Sequence, residues 1–203
     1  MNPLTLPEAW TNFRYFLRAM AALTEEPARL AARLFLQAHE RCEILAWLKP
    51  LERLARLLLL AEAATLDLKP VPPRKAGPRR EIKGSRNRLV PEESEEWRVG
   101  FQLAVHSKRR RGRVRASRGF AAPVYDSVPI AARIEALVRV ALDPARYARR
   151  LARRLARRPL TRKQTRPLFR AARLGQGQAF AFEHALPAFL ALAEPARIRF
   201  ESG

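Results

Sequence analysis

The chain has 203 residues, 48% of them apolar, enough to bury a core in one or two small domains. Its 40 basic side chains outnumber 19 acidic ones for a net charge of +21, which excludes a charge-balanced surface and points to an anionic partner. The single cysteine, Cys42, excludes an intramolecular disulfide and a cysteine-based zinc site, and no apolar run approaches the roughly 20 residues that a membrane span needs.

The excess charge is segregated. Residues 1–68 carry 8 basic and 8 acidic side chains, residues 69–122 carry 16 and 5, and residues 123–203 carry 16 and 6. Of the 40 basic residues 34 are arginine. GC-rich coding explains arginine in place of lysine but not the missing acids, so the sign of the surface calls for a binding explanation. The first residues, MNPLTLPEAWTNFRYF, lack the basic and apolar regions of a signal peptide, and a reducing cytoplasmic setting is expected.

Residues 1–66 are expected to form a neutral antiparallel bundle of three helices. Thr5 and Glu8 have capping-box spacing, and Trp10, Phe13, Phe16, Leu17, Met20 and Leu23 follow at helical steps. Thr24 is placed to cap a second helix through Leu30, Leu34, Ala38, Cys42, Leu45 and Leu48, with Pro50 stopping it and opening a third from Leu51 to about Thr65. Short connections favour antiparallel neighbours, and this unit is a candidate for partner binding or self-association.

Residues 67–122 read as a basic Pro/Arg-rich linker, with four prolines and two glycines between Pro70 and Gly84. Trp97, Val99, Phe101, Leu103 and Val105 alternate as one face of a short strand would, while the four acids before them equally suit a short helix after Pro91. A basic loop follows, carrying Lys108, Arg109, Arg110, Arg111, Arg113 and Arg115, then Arg118.

Residues 123–203 read as a basic helical region. Ile130, Ile134, Leu137, Val138 and Ala141 make one stripe; Asp143 then caps a new helix with Pro144 in its first turn, so an αα-hairpin is expected at Leu142–Asp143. Another helix is expected from Lys163 to Leu174, and the tail from Phe180 to Leu192 is apolar but interrupted by Glu183, His184 and Pro187. The fold class is therefore mainly α.

The strongest functional signal is RYARRLARRLARR, with Arg146, Arg149, Arg150, Arg153, Arg154, Arg157 and Arg158 on one half of a helix. Tyr147, Ala148, Leu151, Ala152, Leu155 and Ala156 occupy the other half. A solvated outer face normally mixes signs, whereas here like charges stand one turn apart. Guanidinium groups form two-pronged bonds to phosphate, so this face and the Lys108–Arg115 loop are the candidate nucleic-acid-binding residues, directed at the duplex phosphate backbone without sequence reading. An anionic membrane surface or an acidic protein is the alternative partner.

No catalytic, cofactor or metal set is assigned. His39, Cys42 and Glu43 have ligand spacing on a helix, but the triplet reads better as core packing. Glu183–His184 and His106 lack acid–base partners, Ser107 and Ser127 lack a nucleophile elbow, and Gly175 and Gly177 follow a helix rather than a strand. LTRKQTRPLFRAARL has the length of a helix-turn-helix, but Pro167 falls where its second helix must run unbroken. Glu26-Pro27-Ala28-Arg29 and Asp143-Pro144-Ala145-Arg146 echo each other, as two helix starts of the same chemistry would.

Leu54–Leu60, the arm Pro70–Arg80 and Ala148–Arg158 give the chain a layout that resembles a group of GC-rich proteobacterial basic helical proteins of no known activity. The resemblance implies a helical architecture and no particular function.

Overall fold

The computed structural model describes residues 4–33, 35–67, 94, 97, 99–101, 124–157, 159–169 and 179–202. Seven helices and four very short strands are found among them: α1 (Leu6–Leu23), α2 (Pro27–Ala32), β1 (Phe35–Gln37), α3 (Ala38–Thr65), β2 (Val124–Asp126), α4 (Val128–Leu142), α5 (Pro144–Arg157), β3 (Leu160–Thr161), α6 (Arg162–Phe169), α7 (Ala179–Phe200) and β4 (Glu201–Ser202). The fold is mainly α.

α1 starts as its sequence directs. The Glu8 carboxylate accepts the Thr5 backbone N–H at 2.9 Å and the Thr5 hydroxyl at 2.7 Å, which holds its pKa below the usual carboxylate range. Trp10, Phe13, Leu17 and Met20 are buried on one stripe. Leu23, expected to continue it, is exposed. Thr24 closes α1 rather than opening the next helix: its backbone N–H and its hydroxyl both donate to the Met20 carbonyl.

The expected second helix is broken. α2 ends at Ala32 and the chain extends over Phe35–Gln37, which pairs antiparallel with β2 in the register Phe35↔Asp126, Leu36↔Tyr125 and Gln37↔Val124. The break turns Leu36 completely out of solvent. Arg33 spans it by pairing with both Glu25 and Glu40, and Glu40 also accepts the Gln37 N–H at 2.8 Å to start α3. Propensity favoured one continuous helix; strand pairing and the burial of Leu36 outweigh it.

Pro50 does not stop a helix either, because α3 runs through it for 28 residues. An interior proline costs about 3 kcal/mol, whereas each buried leucine contributes roughly 1.5–3 kcal/mol. Eight leucines of α3 are buried, including Leu48 and Leu51 on either side of the proline, so packing dominates. α7 passes through Pro187 and Pro195 in the same way.

α3 is the central element, packed chiefly against α7, α5 and α1. Residues of α1, α3, α4, α5 and α7 meet in one apolar cluster, so the neutral N-terminal helices and the basic C-terminal ones share a core. Phe182 of α7 sits between Phe16 and Trp47, with ring centroids 5.1 and 5.6 Å away. The Trp10 indole N–H donates to Glu62 at 2.9 Å, and burial raises the Glu62 pKa.

The expected strand over 97–105 is not found in its described part. The Trp97 N–H bonds the Ser94 carbonyl and the Val99 N–H bonds the Trp97 carbonyl, local turn bonds that an extended strand does not make. Arg139 fixes this turn to α4: it donates to the Trp97 and Ser94 carbonyls at 2.7 and 2.6 Å and to the buried Glu135 at 2.6 Å. Leu103 and Val105 lie outside the described residues, as does the greater part of 67–122.

Candidate nucleic-acid interface

α4 and α5 meet at Leu142–Asp143, where the αα-hairpin was expected. Asp143 caps α5, its carboxylate accepting the Arg146 N–H at 3.1 Å. Arg14 of α1 donates to the Ala141 carbonyl at 3.1 Å and so satisfies the end of α4. Both ends of the turn are therefore fixed, which sets the rotation of α5 about its own axis.

That rotation separates the two faces. Ala148, Leu151, Ala152 and Leu155 are buried, with Leu151 and Leu155 each 3% exposed, and they pack into the shared core beside α3. Tyr147 is half-buried, while Ala156, expected on the apolar side, is exposed. Arg146, Arg149, Arg150, Arg153, Arg154 and Arg157 are all exposed. At 1.5 Å per residue these six span about 17 Å of helix axis, roughly one charge per 3 Å, against one per ~1.7 Å for duplex DNA with both strands counted.

The charge on this face is uncompensated among the described residues. Ion pairs there engage Arg29, Arg33, Arg56, Arg133, Arg139 and Arg197, and none of the six arginines of α5. Arg154 and Arg157 in the last turn gain a little from the negative end of the helix dipole. Arg158 and the loop residues Lys108, Arg109, Arg110, Arg111, Arg113 and Arg115 lie outside the described residues.

Arginines elsewhere hold the fold together. Arg53 donates to the Leu168 carbonyl at 2.8 Å, and Arg199 to the Ala64 carbonyl. Arg133 and Arg56 both pair with Glu52, Arg56 also lies over the Phe101 ring, and its burial lowers its pKa. Arg41 covers Tyr125 at 4.3 Å. In the sequence all of these are legible only as charge. What separates the two groups is local: the fold-building arginines stand among apolar residues or near acids, and those of α5 stand beside one another.

His39, Cys42 and Glu43 do not pack into the core; all three are exposed. Ile44, Leu45 and Leu48 set the buried side of α3, and at 100° per residue the triplet falls on the opposite side. Among the described residues no group of three or more His, Cys, Asp or Glu side chains is placed to hold a metal ion. The helix-turn-helix reading gains no second helix in the described part: α6 is one eight-residue helix with Pro167 inside it.

Comparison with protein-family models, with curated proteins and with solved structures gave no match. Among the described residues no helix is long and apolar enough to cross a membrane.

Proposed function

We propose that this is a non-enzymatic basic protein that binds nucleic acid without sequence specificity through the arginine face of α5, in the reducing cytoplasm. The observation that carries the reading is the division of α5: six exposed guanidinium groups without a described carboxylate partner, on a helix whose leucines are spent inside the fold. Guanidinium groups at this density suit a polyanion with regularly spaced phosphates, and they contact backbone rather than base edges. Anionic lipid and an acidic protein surface compete for the same charge. Buried Leu151 and Leu155 count against lipid, because an interfacial helix needs a free apolar face to enter the headgroup boundary.

The test is a pair of salt titrations on the full chain, one with duplex DNA of arbitrary sequence and one with vesicles rich in anionic lipid. For four to six phosphate contacts, log affinity for the duplex falls against log salt with a slope of about −4 to −5, and scrambled duplexes bind alike. Absent binding at low ionic strength, or affinity indifferent to salt, overturns the reading. Sedimentation with anionic vesicles without duplex retention replaces it with the membrane-surface alternative.

A further inference from the structure

A solvent-open cleft of about 750 Å³ lies between α6 and the end of α7. One wall is α6, where Arg162, Thr165, Arg166 and Phe169 recur at i, i+3, i+4 and i+7 and Pro167 adds to the edge of that face. Arg197, in the last turn of α7, and Glu201 of β4 stand across from it. Parallel pairing of Leu160 with Glu201 and of Thr161 with Ser202 ties the two walls together at one end. α6 is held in place despite Pro167: Gln164 accepts the Thr161 N–H at 3.1 Å, Leu168 is buried, and Arg53 of α3 donates to the Leu168 carbonyl.

The cations of this cleft fall into two kinds. Arg197 is engaged by Glu194 and by Glu201, the latter at 3.9 Å, and its guanidinium lies over the Phe169 ring, 5.4 Å from the centroid. Arg162 and Arg166 are exposed and pair with no described carboxylate. One helical turn separates them, so their Cβ atoms stand about 5–6 Å apart and their forks can converge on one small anion.

We propose that this cleft binds a nucleoside 5′-phosphomonoester, with the phosphate on Arg162 and Arg166 and the base against the stacked pair of Arg197 and Phe169. A terminal phosphate carries about −1.5 to −2 charges at neutral pH and three strong acceptor oxygens, which two guanidinium forks satisfy better than they do a singly charged internal diester. The volume lies within the roughly 300–1,000 Å³ of small-molecule sites and exceeds what bare phosphate fills. Phe169 backs the Arg197 guanidinium, whose partly exposed outer side supplies the planar surface on which a base stacks. The ligand is either a free mononucleotide or the phosphorylated 5′ end of a strand, which share this chemistry. None of the cleft residues belongs to the arginine face of α5, so the proposal stands or falls separately from the reading above.

Calorimetric titration of the full chain with 5′-AMP, adenosine and inorganic phosphate tests it. Saturable binding of 5′-AMP is expected, with adenosine and inorganic phosphate each about tenfold weaker or more. Arg162→Ala with Arg166→Ala lowers 5′-AMP affinity about tenfold or more, and Phe169→Leu lowers it about threefold. Glu201→Gln tightens binding several-fold by removing a negative charge from the wall, a change of sign that misfolding does not imitate. Arg150→Gln with Arg153→Gln on α5 leaves 5′-AMP affinity unchanged. Equal binding of adenosine and 5′-AMP, unchanged affinity in the Arg162/Arg166 variant, or weaker binding by Glu201→Gln overturns the cleft. Duplex binding that survives without any 5′-AMP binding also overturns the cleft, while leaving the α5 reading intact. A preference for duplexes with 5′-phosphate over 5′-hydroxyl ends identifies the strand end as the source; 5′-AMP binding without that preference identifies the free nucleotide.

Discussion

Replacing Arg150 and Arg153 together by glutamine separates binding from stability. The like-charge i,i+4 pairs among the exposed arginines of α5 are Arg146–Arg150, Arg149–Arg153, Arg150–Arg154 and Arg153–Arg157, and each contains one of these two residues. Each such pair is unfavourable by about 0.2–0.5 kcal/mol, and glutamine matches arginine closely in helix propensity. The double variant is therefore more stable at low ionic strength by about 1 kcal/mol. Its binding moves the other way. Counterion release makes a phosphate contact worth about 1 kcal/mol near 0.15 M salt, so two lost contacts weaken duplex affinity about 30-fold and reduce the salt slope by about 1.8. Fluorescence anisotropy with a labelled duplex across a salt series reads the slope, and thermal denaturation followed by circular dichroism reads stability. An unchanged slope refutes the assignment of phosphate contacts to this face. A lower Tm refutes the account of α5 as an electrostatically strained helix.

Two further outcomes follow from the packing. Leu155→Ala removes a side chain that is 3% exposed in the shared core, and the loss is about 2–5 kcal/mol in urea denaturation; a change below about 1 kcal/mol would mean that the apolar face of α5 is not core. Burial raises the Glu62 pKa, so the folded state holds its proton to higher pH than the unfolded chain, and stability declines as pH rises above the ordinary carboxyl value of 4.5. Glu62→Gln removes that decline and keeps an acceptor for the Trp10 indole, so its stability relative to wild type is higher at pH 7 than at pH 4. The same relative stability at both pH values contradicts the assignment.

The elements legible in the sequence are those whose causes are local. Thr5 with Glu8 and Asp143 with Pro144 mark helix starts through bonds made within three residues, and the arginine–apolar alternation of α5 sets its faces without outside help. Elements decided by distant partners were not legible. Nothing near Arg33 signals that residues 124–126 will draw Phe35–Gln37 into a strand pair, and nothing near Pro50 signals that leucines on both sides of it will be buried by other helices. Arg139 reads as one more cation, yet it holds two carbonyls some forty residues upstream. Trp97 looked like part of a strand because alternation records which side chains go inward, not the backbone path that takes them there. The α6–α7 cleft brings together residues 162–169 with 197–201, a pairing that no periodicity within either segment encodes.

The shared core also bears on the strongly basic stretch between the two halves. α3 and β2, the elements on either side of this stretch, belong to one packed body, and Trp97 within it is buried in the shared core, so the net charge of +11 in residues 69–122 is joined to that body at both ends and at a point between them. A chain held at both ends cannot diffuse away from α5. A polyanion seated on the arginine helix of the proposed function therefore meets those cations as part of the same molecule, not as a second binder in free solution. Contacts made by both sets would have to open together for release, so the proposed binding predicts longer residence on a long polyanion than on a fragment that covers α5 alone.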